Sequence, residues 1–92
     1  MIWSLEAEMA VLGAMILDPD VIPAAAKSLR ATDFARVAHR QIFLSCVRIG
    51  DGLDLVTLKE DLNARAKLAA CGGEDYLMSL AEFVVSATNL EQ

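Results

Sequence analysis

A chain of 92 residues, 55% of them hydrophobic and with a formal charge of −5, can bury one apolar core but not two. The acidic balance argues against general DNA or RNA binding, because phosphate contacts need a cationic face. Cys46 and Cys71 form no CxxC pair, so they read as reduced thiols, and with a single histidine they argue against a zinc site.

The first predicted element lies in "SLEAEMAVLGAMILDPD", residues 4–20. Its uninterrupted apolar stretch, Met9 to Leu17, falls far short of the roughly 20 residues that cross a bilayer. Glu6 and Glu8 ahead of it and Asp18-Pro19-Asp20 behind it also lack the positive lead and small-residue cleavage site of a secretory signal. The spacing predicts a buried central helix capped by Ser4, with Glu6 and Glu8 suited to the positive end of its dipole and Pro19 ending it. At about 100° per residue, Leu5, Met9, Leu12 and Ile16 form a core stripe. Ala7, Ala10, Gly13 and Ala14 form a second face, small enough to let a neighbouring helix backbone come close.

A second helix follows Asp18-Pro19 and runs to about Leu29, with Pro23 tolerated near its first turn. The loop "RATDF" leads into a third, Ala35 to Ile49. Its apolar arc holds Ala38, Ile42, Phe43, Cys46, Val47 and Ile49, with Arg36, Arg40 and Arg48 outside, and Gly50-Asp51-Gly52 ends it. The fourth, "DLVTLKEDLNARAKL", is capped by Asp54 or by Thr57 with Glu60, and Asp61 with Arg65 makes an i,i+4 pair. After "ACGGED", Leu77, Leu80, Ala81 and Val84 give a helical stripe, the glycines marking the turn into it. "SATNLEQ" reads as the start of a sixth helix, capped by Ser86 or Thr88. The expected fold is all-α: one compact bundle of about five to six short helices over residues 1–92.

Catalytic constellations are scarce. Capping and solvation account for the pairs Glu6/Glu8 and Asp18/Asp20. Cys46 shares a helix face with His39, but that face is apolar, whereas a nucleophilic thiol needs an electropositive, polar setting. "CGGE" and "GDG" lack the Lys-Ser/Thr of a phosphate loop. His39 lies inside the apolar arc of the third helix and reads as a core histidine bonded to a backbone carbonyl or a loop carboxylate. Lys27 to Arg48 is locally basic, with Asp33 its one acid, which fits a solvated face or a docking patch for an acidic partner. Val37 and Leu44 project on the arginine side of the third helix, where a merely solvated face would not need them. With Arg40 and Arg48 they make an amphipathic surface of the kind found at protein interfaces. A mean hydropathy of +0.42, high for so small a domain, also predicts apolar surface that meets a partner.

Taken in order, Glu6-Ala7-Glu8, Leu12-Gly13, Asp33-Phe34, His39-Arg40, Ile42-Phe43, Asp54 to Leu58, Gly72-Gly73, Tyr76-Leu77 and Ser86-Ala87-Thr88-Asn89 resemble the N-terminal domain of the bacterial replicative DNA helicases, the DnaB family. The resemblance spans nearly the whole chain and departs from the family pattern at Ala35, Ala38 and the early Gly50. It implies a helical domain of the N-terminal collar of a hexameric ring, with no catalytic residue, cofactor or metal of its own. ATP and magnesium belong to the family's separate C-terminal motor domain. The implied partners are the C-terminal domain of primase and other helicase subunits, with no direct nucleic-acid or membrane contact, in the cytoplasm of a bacterium or of the bacterial host of a phage or plasmid. The resemblance adds Asn89, Leu90 and Glu91 to the interface residues, because they lead toward a helical hairpin that this chain does not include. Two alternatives stand beside it: a free-standing regulator of the same fold competing for a helicase or primase surface, and an unrelated small enzyme or ligand-binding bundle using His39 or Cys46.

Overall fold

The computed structural model describes residues 4–89. Ser4 opens helix α1 (Leu5–Leu17) by accepting the Ala7 N–H on its hydroxyl at 3.0 Å, as expected of a cap before an acidic first turn. Asp18 breaks the helix, and its side chain accepts from the Asp20 N–H to start a 3-10 turn, Pro19–Val21, that feeds α2 (Ile22–Ser28). A second 3-10 turn, Ala31–Asp33, leads to α3 (Val37–Ile49). That helix begins later than Ala35 because Phe34 and Arg36 are extended, while the Ala35 N–H donates to the Glu8 carboxylate at 2.8 Å. Gly50, at φ +62°, ends α3.

The choice of cap for α4 (Leu55–Ala64) falls on Asp54. Its carboxylate accepts the Thr57 N–H at 2.8 Å while the Thr57 hydroxyl accepts the Asp54 N–H at 2.9 Å, so each satisfies a donor the other leaves orphaned. Beyond Ala64 the chain reverses at Ala66, which stands at φ +59°, with Lys67 N–H reaching back to the Leu62 carbonyl. A third 3-10 turn, Ala69–Cys71, and the left-handed Gly72 then deliver α5 (Gly73–Asn89). This helix runs unbroken through Ser86 to Asn89, so the expected sixth helix does not start there. Ser86 can cap only where the backbone ladder is interrupted, and no glycine or proline between Leu77 and Asn89 interrupts it.

All five α-helices contribute to one core. Leu12, Met15 and Ile16 of α1, Ile22 of α2, Ile42, Phe43 and Cys46 of α3, Leu58 and Leu62 of α4, and Leu77 and Leu80 of α5 are buried around Phe34. The rings of Phe34 and Phe43 stand 5.1 Å apart at 39°. In α1 the buried line is rotated from the expected stripe: Leu5 is 39% exposed and Met9 half-buried, while Glu8 and Met15 are buried. The small face serves at one position. A Cβ on Gly13 would fall onto the Leu80 carbonyl oxygen and within 2.6 Å of Val84 Cγ2, so α5 crosses α1 in near backbone contact there. Ala7 and Ala10 are exposed, because the close contact is confined to the crossing. No single helix among the described residues is long and apolar enough to cross a membrane.

Candidate functional site

A buried polar chain joins three helices. Glu8 in the first turns of α1, His39 in α3 and Tyr76 in α5 are linked by a 2.7 Å bond from Glu8 Oε1 to His39 Nδ1 and a 2.6 Å bond from His39 Nε2 to the Tyr76 hydroxyl. The second Glu8 oxygen takes the Ala35 N–H. Burial pushes the Glu8 carboxyl up, but the hydrogen bonds from the Ala35 N–H and from His39 outweigh it and hold the group below the ordinary carboxylate range. The ionised Glu8 carboxylate makes Nδ1 the donor of that bond, and burial pushes the Tyr76 hydroxyl up, so it stays protonated.

His39 is therefore a satisfied core histidine, as expected, but its partners differ from the expected ones. They are a helix carboxylate and a tyrosine, neither a backbone carbonyl nor a loop acid. Glu8 is correspondingly neither a cap nor solvated: it is 1% exposed. A signal for this existed in the sequence. Glu8 precedes Leu12 and Ile16 at steps of four on one face, and a carboxylate on a buried face demands donors.

Nothing in this chain of groups is free to attack a substrate. Both His39 nitrogens are engaged. Cys46 is fully buried, and burial pushes its thiol up to about 12, so it is no thiolate nucleophile. Burial also raises Cys71, against the pull of Arg65 and Lys67, and its sulfur lies 3.6 Å from the Ala38 carbonyl oxygen.

The outer face of α3 presents the other predicted residues. Val37 is 65% exposed and Leu44 46% exposed, the surface positions their helical angle suggests. Arg40 is half-buried and donates from Nε to the Phe34 carbonyl at 2.7 Å, holding the turn before α3. Arg48 pairs with Asp61 of α4 at 2.9 Å. Asp61 also accepts from the Ser45 hydroxyl at 2.6 Å and faces Arg65 Nε at 3.4 Å. The Ser45 hydrogen bond leads in holding the Asp61 carboxyl below its usual range, and Arg48 adds to it against the opposing effect of burial.

Arg65, expected only as an i,i+4 partner, reaches across to α3. It donates to the Gln41 side-chain and backbone oxygens at 2.8 and 3.0 Å and to the Ser45 hydroxyl. Since α4 has no sequence proximity to Gln41, only packing could reveal this clamp.

The four predicted α3 residues do not converge on one hollow. Val37 borders a shallow cleft with Ala70, Gly72 and Tyr76. Leu44 and Arg48 border a separate groove of about 510 Å³ between α3 and the α2 end of the chain, where Leu29, Arg30 and Ala31 face Val47 and Arg65 over Phe43. Asn89 is the last residue of α5, and Leu90 and Glu91 lie outside the described residues.

Comparison with known proteins gives a consistent set of relatives. The family model of the DnaB-like helicase N terminal domain matches residues 1–92. The replicative DNA helicase DnaB of Geobacillus stearothermophilus is 44% identical over 91 residues, covering 96% of this chain and 20% of that protein. DnaB of Treponema pallidum is 40% identical over 91 residues, covering 96% and 21%. Among solved structures, the N-terminal domain of DnaB helicase from Mycobacterium tuberculosis matches with a TM-score of 0.84 at 36% identity, over 88% of this chain and 60% of that one. The chain spans about a fifth of the length of these two helicases.

Proposed function

The chain belongs to the DnaB-like helicase N-terminal domain family, and from that premise we propose that its work is protein contact: it docks primase and pairs with other helicase subunits in the collar of a replicative ring. The observation that carries this reading is the match over the full 92 residues to the N-terminal domain of the replicative helicases. The surface agrees with it. Val37 and Leu44 are large apolar side chains left open among arginines, the mixture typical of interfaces. Docking of this kind would hold priming activity beside the unwound strand, raising its effective concentration without any chemistry in the domain itself.

Val37, Arg40, Leu44 and Arg48 are the proposed contacts on α3. Asn89, the last residue of α5, together with Leu90 and Glu91, which follow it in the sequence, is a second proposed contact. Of the α3 set, Leu44 and Arg48 are the stronger pair, since they border one groove and Arg48 stays largely exposed beside Asp61, whereas Arg40 is half-buried on the Phe34 carbonyl.

Calorimetric titration of the 92-residue chain with the C-terminal domain of the primase from the same cell tests the reading. Saturable binding, weakened by Leu44→Asp, is the expected result. A folded sample that gives no heat of binding over the micromolar to millimolar range would overturn primase docking by this chain.

A further inference from the structure

We propose that the groove between α2 and α3 receives a short acidic, amphipathic segment of a partner protein, its apolar side chains entering between Leu29 and Leu44 and its carboxylates meeting Arg30 and Arg48. The proposal rests on the docking reading above and goes beyond it in assigning the place and the chemistry of the incoming segment.

Shape supplies the first argument. The groove holds about 510 Å³, inside the roughly 300–1,000 Å³ range of binding clefts, and Leu29, Ala31, Val47 and the open Leu44 line it over Phe43. Such a trough takes an apolar stripe at helical spacing.

Charge supplies the second. Arg30 forms no ion pair among the described residues; Asp33, three positions on, accepts the Arg30 backbone N–H at 2.8 Å. Arg48, whose side chain is 60% exposed, shares the single Asp61 carboxylate with Arg65. The groove lining thus holds Arg30, Arg48 and Arg65 against the one shared Asp61 carboxylate, a local positive excess on a chain whose net charge is −5, and this favours an acidic segment here. A nucleic-acid strand would use the arginines but not the apolar lining, and the groove's aromatic ring, Phe43, is 3% exposed and offers no stacking platform.

The probe is a labelled peptide with leucines at i, i+3, i+4 and i+7 and glutamates between them, titrated into the 92-residue chain by anisotropy, with amide NMR shifts locating it. Saturable binding is expected, with shifts gathered at Leu29, Leu44, Val47 and Arg48. Arg30→Glu should weaken it about tenfold, Leu44→Asp should abolish it, and Val56→Asp, on α4 outside the groove lining, should leave it unchanged. The same peptide with lysine for every glutamate should not bind. Shifts centred elsewhere, equal binding of the lysine peptide, or binding that survives both Leu44→Asp and Arg30→Glu would overturn the proposal. So would an oligothymidine strand that binds more tightly than the peptide and loses its binding with Arg30→Glu, which would assign the groove to nucleic acid. Arg30 lies at an exposed position, so its variant keeps the test decisive even if Leu44→Asp disturbs the fold. Primase-domain binding that survives both substitutions would retain docking and remove the groove, whereas peptide capture without primase binding would do the reverse.

Discussion

At the scale of single residues, the chain's polar chemistry is devoted to holding helices together. Glu8 is the clearest case, because its carboxylate answers one backbone donor and one imidazole in a buried setting. A carboxyl held below its ordinary value in the folded state binds fewer protons there than in the unfolded chain. Its stabilisation is therefore complete above the ordinary value of 4.5 and is lost as pH falls through the lower, folded value. Urea unfolding followed from pH 7 downward should show a midpoint that falls across that acid window. Glu8→Gln should flatten this part of the profile and lower stability at neutral pH. An unchanged acid slope in Glu8→Gln would show that Asp61 and other carboxyls carry it instead. His39 was legible as a buried histidine because it is the lone polar side chain between apolar neighbours on its helix face. Its partners were not legible, since Glu8 and Tyr76 are 31 and 37 positions away along the chain.

At the scale of elements, several termini were legible and interior crossings were not. Ser4, Asp18-Pro19 and Gly50 act on backbone groups within a few residues of themselves, so local sequence locates those ends, whereas Asp54 was one of two caps left open and α3 starts at Val37 rather than Ala35. Gly13 shows the opposite situation. Alanine is the better helix former by about 0.8–1.0 kcal/mol, yet its Cβ would strike the Leu80 carbonyl and Val84. Because backbone cannot yield as a side chain can, Gly13→Ala should destabilise by about 1–3 kcal/mol in chemical denaturation. A gain in stability would mean that α5 shifts away from α1 freely.

Ala66 carries the converse prediction. It sits in the left-handed region, where a Cβ is strained, at the reversal that ends α4. Ala66→Gly should raise stability by about 0.5–1 kcal/mol in the same measurement, the relief of strain exceeding the extra entropy of glycine. The Leu5–Met9 side of the predicted stripe failed for a related reason: periodicity ranks faces of a helix, but the angle at which α5 crosses selects which part of an apolar sector is covered.

At the scale of the whole molecule, one contiguous core links all five α-helices, and the Asp61–Arg65–Ser45 cluster ties α4 to α3 beside it. No helix has an independent apolar centre, so the chain should unfold in one cooperative step. Far-UV circular dichroism and amide NMR signals from α4 and α5 should lose intensity at the same denaturant concentration. Separate transitions would divide the core. The Geobacillus helicase is matched over 96% of this chain and 20% of its own length, so in that relative the corresponding unit is a small part of a longer chain.

The sequence by itself determined the all-α class, the order of the five helices with most of their ends, the exposure of Val37 and Leu44, and the family. Caps, turn glycines and apolar periodicity act through neighbours three or four residues away, and motif order needs no coordinates. Tertiary structure decided that Glu8 is buried and paired, that Gly13 is the point of backbone contact, that Arg65 spans two helices, and that Leu44 and Arg48 share a groove with Leu29 and Arg30 while Val37 faces another cleft. Each of those depends on the rotation and crossing of helices distant in the chain. Side-chain packing sets these, and no local rule of sequence contains them.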